Sequence, residues 1–314
     1  MDAGLSGDAV VAADVGATHI RAAVVERDGT VRRHLVRTTP RSGPSGDAVT
    51  DAVFGMIAAL LDGGGVQGIG IAAAGPLDPG RGAIVGSPNM AFDEVCLTGP
   101  LRERFGLPVT LLNDCRAGVL GEHWQGAGQG IGDLVYVTLS TGIGGGAIVN
   151  GCLLSGRDGN AGEIGHLFVE GDLALPCGCG HRGHWEGYAS GSGMPRFCTA
   201  WCERKGVIPA FDASSSRGIL EAAEAGDPVA ALFMEALGEV NARGISDLIV
   251  AYAPEVIVLD GPLAQAHGRL LIGHMLPHID RYLPLPEIRV STLGGRAPLL
   301  GAAWSVFSAS SPAP

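Results

Sequence analysis

Short apolar runs alternate with polar bends and with segments of helical spacing along this chain. An apolar run at residues 9–13 precedes a polar bend, and a second run at residues 20–25 follows it, which is typical of a strand hairpin. Residues 47–61 carry apolar side chains at helical spacing, and residues 68–73 form a further apolar run. A hairpin followed by a helix and another strand predicts an α/β lobe.

A second series of the same kind fills the rest of the chain. It consists of predicted helices at residues 97–105, 117–124 and 228–251 and of predicted strands at residues 109–112, 134–139, 147–149 and 256–259. The strand at 109–112 leads into Asn113-Asp114, and the strand at 256–259 leads into Asp260-Gly261. Ligands of open α/β sheets bind at such strand ends, so both junctions are candidate functional positions.

The composition describes a globular protein with room for two domains. The chain has 314 residues, of which 46% are hydrophobic and 17% charged, and this leaves ample apolar material for a core. Its net charge of −11 opposes nonspecific binding to nucleic acid and to anionic membranes, so neither is an expected partner. A phosphate ligand would therefore need local backbone amides, cations and a metal ion.

The cellular compartment is also indicated by the sequence. Residues 1–8 contain no Lys or Arg, and the apolar run that follows stops at Asp14, which is unlike a signal peptide. No stretch approaches the roughly 18 uncharged apolar residues that span a bilayer. Cys177 and Cys179, two of seven cysteines, have a spacing that is awkward for a mutual disulfide. We therefore expect a soluble cytoplasmic protein with reduced thiols.

Two bends have the composition of phosphate-binding turns. The first, Asp14-Val15-Gly16-Ala17-Thr18, offers amides, a hydroxyl and a carboxylate suited to hydrated Mg²⁺. In the second, Thr141-Gly142-Ile143-Gly144-Gly145, glycine admits a phosphate against the backbone. Either bend alone is as typical of an ordinary hairpin, but two of them after buried strands favour phosphate binding.

Two further segments carry candidate polar groups. Asn113 and Asp114 precede a predicted helix, where either residue is also a common N-cap, and the helix dipole would keep a carboxylate ionised there. Glu163 and His166 lie close together in a Gly-containing segment and suit sugar hydroxyls. Taken alone, the Glu163 and His166 pair is more typical of a solvated loop.

The segment from Cys177 to Glu186 has the composition of a zinc knuckle. It contains two thiolates and nearby imidazoles within eight residues of the first cysteine, and these are the ligands that Zn²⁺ prefers. The alternative is a tight turn with two free thiols. The sequence favours zinc.

Taken together, these motifs resemble the ROK family of repressors and kinases, and specifically its glucokinase branch. The resemblance extends from about residue 10 to residue 304. It rests on segments that occur in the family order: Asp14 to Thr18, Gly68-Ile69-Gly70 to Gly75-Pro76, Ser87-Pro88-Asn89, Leu112-Asn113-Asp114, Ser140 to Gly146, Glu163-Ile164-Gly165-His166 and the cysteine knuckle.

The resemblance implies an α/β fold of the actin-like ATPase type, related to ribonuclease H, with two lobes and with ATP and sugar in the cleft between them. By analogy the small lobe is residues 1–121, to which a C-terminal helix at about 298–314 packs back, and the large lobe is residues 122–297. The activity implied is ATP-dependent phosphorylation of the 6-hydroxyl of a glucose-type hexose. Mg²⁺, structural Zn²⁺ and a homodimer are also implied.

The family resemblance also assigns roles to individual residues. Asp114 corresponds to the general base. The residues that correspond to sugar contacts are Gly75, Asn89, Asn113, Asp114, Glu163, His166 and Glu186. The residues that correspond to nucleotide contacts are Asp14, Gly16, Ala17, Thr18, Thr141, Gly142, Gly144, Gly145 and Gly261.

Two departures from the family pattern bear on these expectations. The family knuckle has a third cysteine where this chain has His184, so the implied zinc ligands are His166, Cys177, Cys179 and His184, with His181 as an alternative to His184. Glucokinases follow the Pro-Asn pair with Pro-Gly-Trp, whereas this chain has residues 90–94, Met-Ala-Phe-Asp-Glu. A kinase for an amino sugar such as kanosamine, or for a cyclitol, is therefore an alternative.

Rival functions within the family are a sugar-responsive repressor and a noncatalytic sugar sensor. A repressor of this family carries an N-terminal winged helix, and the dozen residues before Asp14 leave no room for one, so we do not expect nucleic-acid binding. The presence of Asp114 and of both bends favours an enzyme over a sensor.

Overall fold

The structure is a computed structural model, and it describes residues 8–61 and 65–309. Its strands are β1 (Ala9–Val15), β2 (His19–Glu26), β3 (Val31–Thr38), β4 (Ile69–Ala73), β5 (Leu77–Asp78), β6 (Ala83–Val85), β7 (Glu94–Cys96), β8 (Val109–Asn113), β9 (Leu134–Leu139), β10 (Ile143–Val149), β11 (Cys152–Leu153), β12 (Val256–Asp260) and β13 (Glu287–Val290). Its α-helices are α1 (Asp47–Leu61), α2 (Thr98–Phe105), α3 (Asp114–Gln125), α4 (Glu186–Ala189), α5 (Met194–Lys205), α6 (Ser216–Glu224), α7 (Pro228–Tyr252), α8 (Pro262–Met275) and α9 (Ala297–Ala309).

The chain divides into two compact units. Unit 1 comprises Met1–Gly130, Leu153–Ala161 and Arg296–Pro314, and unit 2 comprises Ile131–Cys152 and Gly162–Gly295. The division after Gly130 differs from the expected one after residue 121, because residue 121 lies inside α3. None of the described helices is long and apolar enough to cross a bilayer.

Unit 1 is built on a five-stranded sheet in the order β3-β2-β1-β4-β8. Strand β1 pairs antiparallel with β2 and parallel with β4, and β4 pairs parallel with β8. Val15, Ala73 and Asn113 are register partners across the three parallel strands. The first bend, Gly75 and the Asn113-Asp114 junction therefore all emerge at one edge of the sheet.

Helices cover this sheet because their apolar side chains need burial. Val49, Val53 and Ile57 of α1 are fully buried in the core that also contains Val11. Helix α9 packs on β1, β4 and α3, and it comes so close to β4 that a side chain at Gly70 would overlap a backbone carbonyl of α9. Residues 310–314 of the expected C-terminal helix lie outside the described residues.

Unit 2 contains a sheet in the order β11-β10-β9-β12-β13. Strand β12 lies parallel to β9, with Asp260 opposite Thr138, so the second bend and Gly261 follow neighbouring strand ends. The long helix α7 packs against α8, and its buried side chains include Phe233, Leu237 and Ile245. Both units therefore place their candidate motifs where parallel strands end.

The structure corrects two expectations about local structure. Strand β3 was not expected, because its sequence Val-Arg-Arg-His-Leu-Val-Arg-Thr is largely polar, which an edge strand with mostly exposed side chains tolerates. The second bend is shorter than expected, since β10 begins at Ile143 and takes in Gly144 and Gly145. These glycines pair with β9, and the missing side chain of Gly145 admits Ile164.

Candidate active site

The first candidate bend turns the chain from β1 into β2. The Gly16 N–H donates to His19 O at 3.1 Å and closes the turn, while Ala17 is half-buried and Thr18 is exposed. Asp14, at 6% exposure, lies at the end of β1 and pairs through Oδ2 with Arg21 Nη1 at 3.0 Å. Burial raises the pKa of Asp14, and the Arg21 guanidinium opposes that rise. Arg21 therefore already neutralises part of the carboxylate expected to hold hydrated Mg²⁺.

Asn113 caps helix α3 and places Asp114 in its first turn. The Asn113 Oδ1 atom accepts the N–H of Cys115 at 2.9 Å and of Arg116 at 3.2 Å. These two bonds fix the side-chain amide of Asn113, so its Nδ2 group points away from the helix backbone. Asp114 is half-buried, and its Oδ1 accepts the Cys115 N–H at 2.8 Å. The cap role falls on Asn113, and Asp114 gains the stabilisation that a helix N-terminus gives a carboxylate.

Asn89 lies in the loop between β6 and β7. The Gly86 N–H donates to Asp93 O at 2.7 Å and closes the loop, and the Met90 N–H donates to Ser87 O at 3.2 Å within it. Asn89 is exposed at the turn, and Glu94 at the end of the loop forms an ion pair with Arg81. Gly75 follows β4 and is half-buried.

The second bend, Ser140 to Gly142, lies beside Gly261. The backbone of Gly261 has a φ of +88°, which favours glycine, and a side chain there would press on Leu139 O. The Gly191 N–H donates to Ser140 O at 2.7 Å, and Ser192 Oγ donates to Thr141 O at 2.8 Å. Thr141, Gly142 and Gly261 are thus neighbours within unit 2, whereas Gly144 and Gly145 belong to the strand.

The three sugar-binding candidates of unit 2 are linked through one cysteine. His166 Nε2 lies 3.8 Å from Glu163 Oε2, and His166 Nδ1 lies 3.5 Å from Cys177 Sγ. Cys177 Sγ in turn lies 3.7 Å from Glu186 Oε1, and Glu186 Oε2 accepts the Ile143 N–H at 3.0 Å. Burial raises the pKa of Glu163, His166 opposes the rise and Glu186 adds to it.

Four potential metal ligands converge in this region. The ligand atoms of His166, Cys177, Cys179 and His184 all lie within 4.8 Å of one another, and Cys179 Sγ is 3.2 Å from His184 Nδ1. A tetrahedral zinc site with bonds of about 2.0–2.3 Å places its ligand atoms about 3.3–3.8 Å apart, which these distances approach. His181 does not belong to the group, and its ring lies beside that of His184 at a tilt of 47°, with ring centroids 5.8 Å apart.

The titration behaviour of the cluster suits a cation. Burial raises the pKa of the Cys177 thiol to about 11, so this group needs a bound cation to become the thiolate that ligates. Burial also lowers the pKa of His184, which favours the neutral imidazole, the form that binds metal. None of the seven cysteines, all of which lie in the described part of the chain, forms a disulfide. The donor set therefore fits Zn²⁺.

Sequence reasoning missed the residues that support these groups from a distance. Arg116 is 6% exposed and donates to Leu154 O at 3.2 Å, to Gly159 O at 3.0 Å and to Ser155 Oγ at 2.6 Å, so it fastens Leu153–Ala161 to the start of α3. Thr39 and Ser192 hold the carbonyls of the two bends. A single Arg or hydroxyl residue gives no pattern that a sequence reader could use.

Comparison with known proteins shows which family and which solved structures the chain is similar to. The sequence model of the ROK family matches residues 10–308. A glucokinase of Pyrobaculum calidifontis is 34% identical over 293 residues, which cover 92% of each chain. The ROK family glucokinase of Streptomyces griseus, solved in complex with glucose and AMPPNP, has a TM-score of 0.78 and 31% identity, covering 96% of this chain and 99% of its own. The ROK hexokinase of Thermus thermophilus has a TM-score of 0.80 and 31% identity, covering 96% and 98%.

Proposed function

This chain belongs to the ROK family, and we propose that it phosphorylates the 6-hydroxyl of a glucose-type hexose with Asp114 as the general base. It is an ATP-dependent sugar kinase with the actin-like ATPase fold. The observation that carries the proposal is the shared edge in unit 1, where the first bend and the Asn113-Asp114 junction follow register-aligned strands. Adjacent strands lie about 4.8 Å apart and β4 lies between β1 and β8, so the bend and the junction are about 10 Å apart, a span that a bound phosphoryl group and a sugar hydroxyl can bridge.

Asp114 has the position that proton abstraction requires. Its carboxylate is half-buried, is oriented by the Cys115 N–H and lies at the positive end of α3. It accepts the proton of the attacking hydroxyl as the new bond from that oxygen to the γ-phosphorus of ATP forms and the bond from the γ-phosphorus to the ADP oxygen breaks. The Nδ2 group of Asn113 is oriented by the cap to donate to a sugar oxygen, because Oδ1 is held by the backbone.

The remaining sugar contacts come from exposed or half-buried polar groups. Asn89 is exposed in its turn, and Glu163 and Glu186 provide carboxylate oxygens that accept from sugar hydroxyls. The Nε2 atom of His166 faces Glu163, which leaves Nδ1 for the metal cluster. One imidazole thus joins sugar binding to the Cys/His cluster.

The nucleotide is held by backbone groups at the strand ends. Gly16, Ala17 and Thr18 bind phosphate in unit 1, and Thr141, Gly142 and Gly261 do so in unit 2. Asp14 would hold hydrated Mg²⁺, which would neutralise charge on the transferred phosphoryl group. Gly144 and Gly145 lie in β10, where the missing side chain of Gly145 admits Ile164, and both glycines remain candidates for contact with the nucleotide.

The Cys/His cluster holds one structural zinc ion. His166, Cys177, Cys179 and His184 are its ligands, and the bound ion fixes the loop that carries Glu163. Metal binding at such sites also contributes folding free energy. We further propose that the chain is cytoplasmic and assembles as a homodimer, as the family resemblance implies.

An amino sugar is the second candidate substrate. A cavity of about 440 Å³ beside the β6–β7 loop is lined by Asp47, Asp93 and Glu94, which would attract an ammonium group. Two of these carboxylates already have partners, since Arg81 pairs with Glu94 and Ser45 Oγ donates to Asp47 Oδ2 at 2.7 Å. Arg81 neutralises Glu94, whereas a hydroxyl leaves Asp47 charged, so Asp47 and Asp93 remain to attract a cation. Glucose stays the first candidate because the chain is similar to glucokinases over most of its length.

A coupled assay of ADP release tests the proposal. Glucose, mannose, 2-amino-glucose, 3-amino-glucose and a cyclitol are compared by kcat/KM, and the phosphorylated position is read by NMR. We expect glucose to be preferred and to be phosphorylated at the 6-hydroxyl, with the same ratios in Asp93→Asn. A preference for 3-amino-glucose that disappears in Asp93→Asn would replace glucose with the amino sugar, and no ADP release with any of these acceptors would refute the proposal.

A further inference from the structure

The segment that follows β3 lies directly behind the first bend. Thr39 Oγ1 donates to Gly16 O at 2.6 Å, and the Thr39 N–H donates to Thr18 O at 2.9 Å. Arg41 Nη1 donates to Ala17 O at 3.4 Å. Three consecutive carbonyls of the bend are therefore held by one short segment.

Holding the carbonyls on one side turns the amides to the other. The N–H groups of Ala17 and Thr18 donate to no group in the described part of the chain, and both residues are accessible to solvent. Consecutive backbone N–H groups that point the same way form an anion-binding concavity. Thr39, at 2% exposure, is rigidly placed to maintain that arrangement.

The Arg41 side chain carries a positive charge that no carboxylate of the described residues neutralises in an ion pair. Its side chain is exposed, and within residues 8–61 and 65–309 it forms no ion pair with a carboxylate. The other arginine near the bend, Arg21, is paired with Asp14 at 3.0 Å. In a chain of net charge −11, a phosphate at this bend needs such a local cation.

We propose that the Thr39–Arg41 segment completes the phosphate site of the first bend, with Thr39 as a positioning residue and Arg41 as the cation that binds the transferred phosphoryl group of ATP. This inference rests on the proposed function of the bend. Guanidinium groups bind phosphate through charge-assisted hydrogen bonds, and the exposed side chain can turn from Ala17 O toward the ligand.

Equilibrium binding of ATP and ADP to the full chain, together with KM for ATP, tests Arg41. We expect Arg41→Gln to weaken ATP binding about tenfold, ADP binding to change less, and Arg41→Lys to recover part of the loss. Arg37→Gln is the matched control, because Arg37 is exposed on β3 but lies against Gly55 of α1. Equal ATP affinity in Arg41→Gln and Arg37→Gln would overturn the role of Arg41.

Thr39 is tested by Thr39→Val, which keeps the shape and removes the hydroxyl donor, and by Thr39→Ser, which keeps the donor. We expect Thr39→Val to raise KM for ATP several-fold with little change in KM for sugar, and Thr39→Ser to restore it. A folded Thr39→Val with unchanged KM for ATP contradicts the positioning role. Should Thr39→Val not fold, a raised KM for ATP in Thr39→Ser would contradict it instead.

These outcomes are separable from a failure of the proposed function. Nucleotide binding is measured without a sugar, so it reports on the bend even if no hexose is phosphorylated. A wild-type chain that phosphorylates glucose while both variants bind ATP normally refutes only this inference.

Discussion

The bends after β1 and β9 share one construction and differ in the charge behind them. In both, a segment distant in sequence binds the bend carbonyls, Thr39–Arg41 in unit 1 and Gly191-Ser192 in unit 2. The first bend has an arginine behind it, whereas the second has the Glu186 carboxylate, which accepts the Ile143 N–H at 3.0 Å.

The difference indicates that the two units contribute to different parts of the proposed reaction. Unit 1 combines Arg41, the first bend and Asp114 in the first turn of α3, to which we assign the charge changes of phosphoryl transfer. Unit 2 combines the second bend with the carboxylates of Glu163 and Glu186, which lie beside the Cys/His cluster. We therefore expect loss of Asp114 in unit 1 to lower turnover, loss of Arg41 in unit 1 to lower ATP binding, and damage to the Cys/His cluster in unit 2 to lower sugar binding and stability.

The largest effect is expected from removing the base in unit 1. Asp114→Asn keeps the size of the side chain but cannot accept the proton, so kcat should fall by about 10²–10⁴ while KM for sugar stays within a few-fold. Steady-state kinetics measure both quantities. Asp51→Asn, at an exposed position on α1, is the control. An Asp114→Asn variant that keeps more than about a tenth of kcat removes Asp114 from this role.

The Cys/His cluster gives the next largest effect, and it should appear in binding. Cys177→Ser should remove bound zinc, lower Tm and raise KM for sugar about tenfold or more, because Glu163 loses its support. Metal analysis, thermal unfolding and kinetics measure these changes, and Cys152→Ser at an exposed position is the control. Fully active wild-type protein without zinc would contradict the site.

Glycine substitutions compare the bends directly. A side chain at Gly142 would overlap Glu186 Oε2, whereas one at Gly16 would meet His19 O at 3.1 Å, which a small shift relieves. Gly142→Ala should therefore cost about 1–3 kcal/mol in binding by displacing Glu186, and Gly16→Ala less. Gly273→Ala, in a helix with open space around it, is the control. The reverse order of the two effects would show that the first bend is the more tightly packed.

The smallest effect is expected at Ser192. Its hydroxyl donates to Thr141 O at 2.8 Å, but the Ser192 N–H also donates to that oxygen at 3.3 Å, so Ser192→Ala leaves one bond in place. We expect a loss of no more than about 0.5 kcal/mol in nucleotide binding, the low end of the range for one hydrogen bond, measured by calorimetry. Thr199→Ala on α5 is the control, since its hydroxyl only bonds its own helix. A loss as large as that of Arg41→Gln would contradict the proposed difference between the bends.

Much of the fold could be predicted from the sequence, because local pattern determines local structure. Apolar runs predicted β1, β2, β4, β9 and β12, and the Asn113-Asp114 pair marked the start of α3. Strand β3 was missed, since an edge strand does not need an apolar pattern. The family match was also readable from motif order, and the actin-like fold follows from it.

By itself, the sequence determined which residue types are available: two glycine bends, a carboxylate at a helix start, and a set of cysteines and histidines. Only the tertiary structure decided which of these residues lie close together. Register aligns Val15, Ala73 and Asn113, the chain path brings His184 rather than His181 to the cysteines, and Arg81 neutralises Glu94. Thr39 meets Gly16 across 23 residues. Such contacts depend on how separate strands and loops pack, and the packing of distant segments leaves no periodic trace in the chain.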